Sequence, residues 1–172
     1  EKIDMWLIIC REYNEDPVFP TLVPAPTMAA RRLTMLVFYD RGDKGVERLT
    51  VSKYGISGYY DKAWDESAGG QWEALKKVIE ERDPERIGIN EGETFDFGDG
   101  LSAALKKKLT ESIGDTYSSR LVSAERLAVG WLEKRHPREL ETYSHVVSIA
   151  HTIIEEAFSS REALNYWKDV DL

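Results

Sequence analysis

At 172 residues and 19.7 kDa the chain is long enough for one domain with a further piece and too short for a two-domain enzyme. Its 42% hydrophobic and 31% charged residues are those of a globular chain, which excludes the disordered and collagen-like classes. With 23 basic against 31 acidic residues, the net charge of −8 repels phosphate backbones and argues against a nucleic-acid partner.

Cys10 is the only cysteine, so neither an intrachain disulfide nor a cysteine-rich zinc cage can form, which is compatible with a reducing compartment. No stretch approaches the roughly 20 apolar residues of a membrane span, so no membrane partner is expected, and the N-terminus lacks a basic-then-apolar signal pattern. A start at Glu1 fits a mature or excised chain, leaving a soluble protein, cytoplasmic or exported after signal removal.

In chain order, Met5 to Cys10 is a short apolar run that suits a buried strand, which calls for helices on both faces. Arg11 to Thr27 holds Pro17, Pro20, Pro24 and Pro26 and predicts a long, stiffened loop. Leu33–Asp40 and Val46–Ser52 flank a glycine-bearing turn, the pattern of a β-hairpin, and Ser57–Tyr60 adds an edge strand. Trp72, Leu75, Val78 and Ile79 share one face of a helix over 71–82 that Asp83-Pro84 stops. Arg86–Asn90 alternates as a strand; Leu101, Ala104, Leu105, Leu109 and Ile113 trace a second helix; Leu121-Val122 makes a last strand before a helix over 124–135. This order predicts an α/β domain with a mixed sheet flanked by helices. After His136-Pro137 a long linker helix follows, with Leu140, Tyr143, Val147, Ala150, Ile154, Ala157 and Phe158 on one apolar face. Of these, Tyr143, Val147, Ala150, Ile154 and Phe158 are expected to dock on a partner surface. The expected division is 1–135 for the domain, 136–160 for the linker and long helix, and 161–172 for a tail of uncertain origin.

Chemistry-bearing motifs are sparse. Asp96-Phe97-Gly98 matches a kinase magnesium tripeptide, but the glycine-rich loop, strand lysine and His-Arg-Asp are missing, so it is read as a turn before a helix that Asp99 or Ser102 caps. His151 and Glu155 stand one helical turn apart, yet no third ligand accompanies them and His145 falls on another side. Lys106 to Lys108 read as a solvated face, and Cys10 as a small core residue. No metal ligand set and no nucleophile emerge. The best candidate is the polar stretch Arg11–Asp16 that leaves the first strand, because ligands collect at strand C-termini. There Arg11 suits a forked contact to a peptide carboxylate and Asn14 a contact to backbone groups, with Asp16 beside them; the plainer alternative is an internal loop brace.

Three regions carry a resemblance to a known family: Lys2–Ile9 with Arg11–Pro17, the strand Arg86–Ile89, and Trp131–Glu141. They resemble the opening strand, a late strand and the linker of the creatinase, prolidase and Xaa-Pro aminopeptidase family, nearest its bacterial Xaa-Pro aminopeptidase-like branch. The resemblance implies a creatinase-type N-terminal domain with a ribonuclease-H-like motif, followed by the first helix of a catalytic domain. That family's dinuclear site of two aspartates, a histidine and two glutamates, holding manganese, zinc or cobalt, belongs to the C-terminal domain, so no catalytic residue and no cofactor is carried over onto this chain. A Pro-Gly turn usual after the helix is replaced by Ser159-Ser160 and Arg161–Leu164, which sets the tail apart. The implied function is a non-catalytic domain of a metallopeptidase that serves assembly and walls one side of the substrate pocket. Its partners would be its own C-terminal catalytic domain and further copies in a homo-oligomer. The alternative is a stand-alone binding or dimerisation protein of the same fold, and a small hydrolase using His151 and Glu155 ranks last.

Overall fold

Met5, Leu7 and Ile9 point to one side of the first strand and Trp6, Ile8 and Cys10 to the other, and all six are buried. The period of two along an apolar run thus places this strand, β1 (Met5–Arg11), at the centre of a sheet covered on both faces. The computed structural model describes residues 2–27, 29–56, 58–159 and Asn165. They divide into two compact units, residues 1–132 and 133–172.

The first unit holds a mixed sheet of six strands. β1 pairs antiparallel with β2 (Leu33–Asp40), which pairs antiparallel with β3 (Val46–Thr50). The edge strand β4 (Asp61–Lys62) runs parallel to β3. On the other side of β1, β5 (Ile87–Ile89) and then β6 (Leu121–Ser123) are added in parallel. The strand order is β4-β3-β2-β1-β5-β6.

One face packs on α2 (Gln71–Arg82) and α3 (Ala103–Ser118) through Leu75, Val78, Ile79, Leu105, Leu109 and Ile113. Of the expected α3 face, Ala104 is exposed instead. Glu73 reaches back to the Gly70 N–H (3.2 Å) at the start of α2, and Asp83 ends it in the left-handed region, its N–H donating to the Ile79 carbonyl. Ser102 caps α3, its Oγ accepting from the Leu105 N–H (3.4 Å), and Gly114 at φ 76 breaks the helical backbone near its end. The opposite face of the sheet is covered by α1 (Phe19–Leu22) and α4 (Glu125–Glu133) through Phe19 and Ala128, beside a Trp6–Phe38–Tyr60 ring series.

Two expectations are corrected. The proline-rich stretch is not all loop: α1 forms one turn with Pro20 in its first turn, where the missing N–H has no intrahelical partner to lose. The edge strand lies at Asp61–Lys62, while residues 58–60 form a turn; Ser57 lies outside the described residues. The second unit contains α5 (Pro137–Ser159), which begins on Pro137 as its first-turn geometry favours. The expected tail at 161–172 lies outside the described residues except Asn165. Among the described residues no helix is long and apolar enough to cross a membrane.

Candidate functional site

The C-terminal ends of β1, β3, β5 and β6 share one edge of the sheet, and the loop that leaves β1 does two different things there. Its far end turns inward. Asp16 is 1% exposed, and its carboxylate accepts the Val18 N–H (2.9 Å) and both oxygens face the Asn90 amide nitrogen (3.0 and 2.9 Å). Trp6 Nε1 donates to Asn90 Oδ1 at 2.8 Å, which fixes the amide orientation and aims its donors at Asp16. The Asn90 carbonyl in turn accepts the N–H groups of Gly100 (3.0 Å) and Leu101 (2.8 Å). A Cβ built on Gly100 would overlap the Asp16 carboxylate, so only glycine fits there.

This network carries no cation within its hydrogen-bond set. Burial raises the Asp16 carboxyl above its usual range, against the Val18 and Asn90 hydrogen bonds that lower it, and the Asp99 carboxylate adds to the rise. Cys10, beside it on β1, is pushed up to about 12, first by burial, so the thiol stays protonated. Among the described residues, no buried side-chain nitrogen or oxygen lacks a hydrogen-bond partner. The arrangement braces three chain segments and offers no reacting group.

The near end of the same loop turns outward. Arg11 and Asn14 exchange backbone hydrogen bonds (3.2 and 3.0 Å) around Glu12-Tyr13, and Tyr13 takes φ 66, a conformation suited to glycine or asparagine. Its ring is 93% exposed. The Glu12 N–H donates to the carbonyl of Arg32, itself at φ 60. Between this turn, α1, the approach to β2 and the segment after β3 lies a cleft of about 580 Å³. Phe19, Thr34 and Ile56 form its buried parts; Glu12, Glu15 and Tyr13 line it from the loop, and Arg31 lies over the Tyr54 ring, 5.0 Å from its centroid. A volume in the range of small-ligand sites, both signs of charge and aromatic faces make this the candidate site.

The residues singled out from sequence are thereby separated. Arg11 and Asn14 are exposed at the turn, whereas Asp16 is a correction: it is buried and held by Asn90, and does not face solvent. Of the docking face on α5, Tyr143, Ile154 and Phe158 are exposed by more than half, Ala150 is exposed and Val147 half-buried; Leu140, Val146, Ile149 and Ile153 widen the apolar surface. Among the described residues no group of three or more His, Cys, Asp or Glu side chains is gathered for a metal, His151 and Glu155 included. Asp96-Phe97-Gly98 is a 3-10 turn, and Lys106 joins Glu91 at 2.5 Å. Sequence reasoning missed Trp6, Asn90 and Gly100, and it missed Arg31 and Tyr54. For Asn90 a signal existed: it follows an apolar strand at the same kind of strand end that drew attention to Arg11–Asp16.

Neither a family model, nor a curated protein, nor a solved structure matches the chain.

Proposed function

We propose that this chain is the non-catalytic N-terminal domain of a metallopeptidase of the creatinase, prolidase and Xaa-Pro aminopeptidase family, serving assembly and one wall of the substrate pocket. The observation that carries the reading is the state of Asp16. At the sheet edge where α/β domains place their chemistry, the buried carboxylate is taken up by Asn90 and Val18 as a brace. The strand arrangement supports the ribonuclease-H-like part of the reading: an antiparallel β3-β2-β1 set, then β5 and β6 added in parallel beyond β1. The family part rests on the sequence resemblance of Lys2–Pro17, Arg86–Ile89 and Trp131–Glu141. The described residues do not fit a dinuclear metal site, so manganese, zinc or cobalt would belong to a catalytic domain outside these residues.

Two measurements test this. The chain alone, assayed with manganese, zinc or cobalt on an Xaa-Pro dipeptide, is expected to show no turnover; turnover would overturn the non-catalytic reading. The reading frame beyond Leu172 is expected to encode a further domain with two aspartates, a histidine and two glutamates as ligands, and a frame that lacks such a domain removes the family assignment.

The exposed apolar side chains of α5 favour a second reading, a stand-alone dimerisation protein of the same fold, since a surface of that kind drives association. Val147→Asp is expected to shift the sedimentation profile toward a smaller species. An unchanged profile and unchanged helical content would remove any docking role for α5.

A further inference from the structure

Adjacent lysine and arginine residues occur at four places in the chain: Arg31-Arg32, Lys76-Lys77, Lys106–Lys108 and Lys134-Arg135. The fold holds the first three. Lys76-Lys77 lies within α2 and Lys106–Lys108 within α3. The Arg31 carbonyl accepts the Thr34 hydroxyl (3.2 Å), the Arg32 carbonyl accepts the Glu12 N–H (2.9 Å), and Arg32 takes φ 60 in a segment flanked by buried Ala30 and Thr34. Lys134-Arg135 is different. It follows Glu133, the last residue of α4, and precedes Pro137, the first of α5, so it lies outside both helices, and Lys134, Arg135 and His136 are all exposed. Every buried core residue stands at or before Ala128, and none of α5 is buried. The stretch 134–138, Lys-Arg-His-Pro-Arg, also carries three cationic side chains and no carboxylate in a chain of net charge −8.

We propose that Lys134-Arg135 is a proteolytic processing site, where an endopeptidase specific for basic residues separates the sheet domain from α5. Such an enzyme takes its substrate as an extended strand, with the basic side chain in an acidic pocket. A helix must unwind before it fits, and a segment whose carbonyls are already bonded must first give up those bonds. At Lys134-Arg135 that requirement is small. The final carbonyls of α4 have no intrahelical donor, and the packing of that helix ends more than a turn earlier, at Ala128. On the other side, Pro137 restricts His136 to extended backbone, and His136 begins α5: its N–H donates to the Glu139 carboxylate (2.6 Å) and its carbonyl accepts the N–H groups of Glu139 (2.9 Å) and Leu140 (3.2 Å). In the reaction, water adds across the bond after Lys134 or Arg135, leaving a carboxylate there and an amine on the residue that follows, with no other reactant. The domain keeps its whole sheet and core, and α5 leaves with its exposed apolar side chains. Neither the peptidase reading nor a docking role for α5 is required for this.

The test is digestion of the full chain with trace trypsin, followed over time by intact-mass spectrometry. Cutting after Lys134 or Arg135 is expected to be at least about tenfold faster than at any lysine or arginine from Arg11 to Arg126, because cleavage of a folded chain follows the population of the opened segment. The product that ends at Lys134 or Arg135 should then persist, with the melting temperature of the intact chain. Lys134→Gln with Arg135→Gln should remove that early product and leave the thermal melt unchanged. A cut between Arg11 and Arg126 that is as fast or faster, at Arg31-Arg32 above all, overturns the proposal. So does a product that melts well below the intact chain, which would make α5 part of the fold, and so does an early product of the same mass from the double variant.

Discussion

Glu12 and Asp16 are four residues apart in one loop, yet one lines an open cleft and the other is buried. The difference lies in what surrounds them. Asp16 meets a complete set of donors from Asn90 and Val18 and is covered by Gly100, so its carboxylate is a structural part. Glu12, Glu15 and Tyr13 meet few side-chain partners, and Tyr13 carries a left-handed backbone. An acidic stretch thus contains both a buried brace and side chains that line an open cleft, and only the burial of each side chain tells them apart.

The sharpest way to break this comparison is at Gly100. Gly100→Ala places a methyl group into the Asp16 carboxylate, and the expected loss is about 3 kcal/mol or more, the scale of disrupting a buried polar network. Asp16→Ala alone strands the Asn90 amide donors and should cost about 1–3 kcal/mol. The two changes together should cost less than their sum, because the atoms nearest the new Cβ are all Asp16's. Denaturant unfolding of the two single variants and the double variant checks this, and strict additivity would mean that the clash is relieved elsewhere.

A smaller effect comes from pH. The Asp16 carboxyl is raised in the folded state above its ordinary 3.8, so the folded chain holds the proton more firmly than the unfolded one. Its contribution to stability is therefore fully present below 3.8 and is lost as pH rises through the raised value. The advantage of the wild type over Asp16→Asn in thermal melts should be largest in acid and shrink toward neutrality; an advantage that grows with pH would contradict the burial argument. Glu47 has the opposite sign: the Arg82 guanidinium, bonded to it at 2.6 Å, holds it low, so its contribution is present above 4.5 and is lost as pH falls through the lowered value.

The smallest expected change is at the outward end. Tyr13→Asn keeps a side chain that tolerates the left-handed region and should leave stability unchanged or raise it by up to about 1 kcal/mol. A melting temperature that falls clearly would show that the ring supports the loop after all, and would bring Tyr13 nearer in kind to Asp16.

Much of the fold was legible in the order of residues. The short apolar run of Met5–Cys10 marked the buried strand, the glycine turn marked the β2–β3 hairpin, and Leu75, Val78, Ile79 with Leu105, Leu109 and Ile113 marked two helices on one face. Such patterns are local, because strand and helix periods repeat within a few residues. The short α1 was hidden by its proline, and the two-residue β4 was too brief to show a period of its own. Of the candidate site, the loop was found from its place after β1, while the parts of its residues were not.

What the sequence determined by itself is the α/β class, the central strand, the main helices and the acidic character of the surface, all set by period and composition. Only the tertiary structure decided that Asp16 is a brace, since its partner Asn90 lies 74 residues away and its Gly100 cover follows ten residues after that. It likewise decided that Arg31 and Tyr54 join Glu12 and Tyr13 around one cleft. Hydrogen-bond satisfaction and burial depend on which segments the sheet order brings together, and no local pattern of residues encodes that meeting.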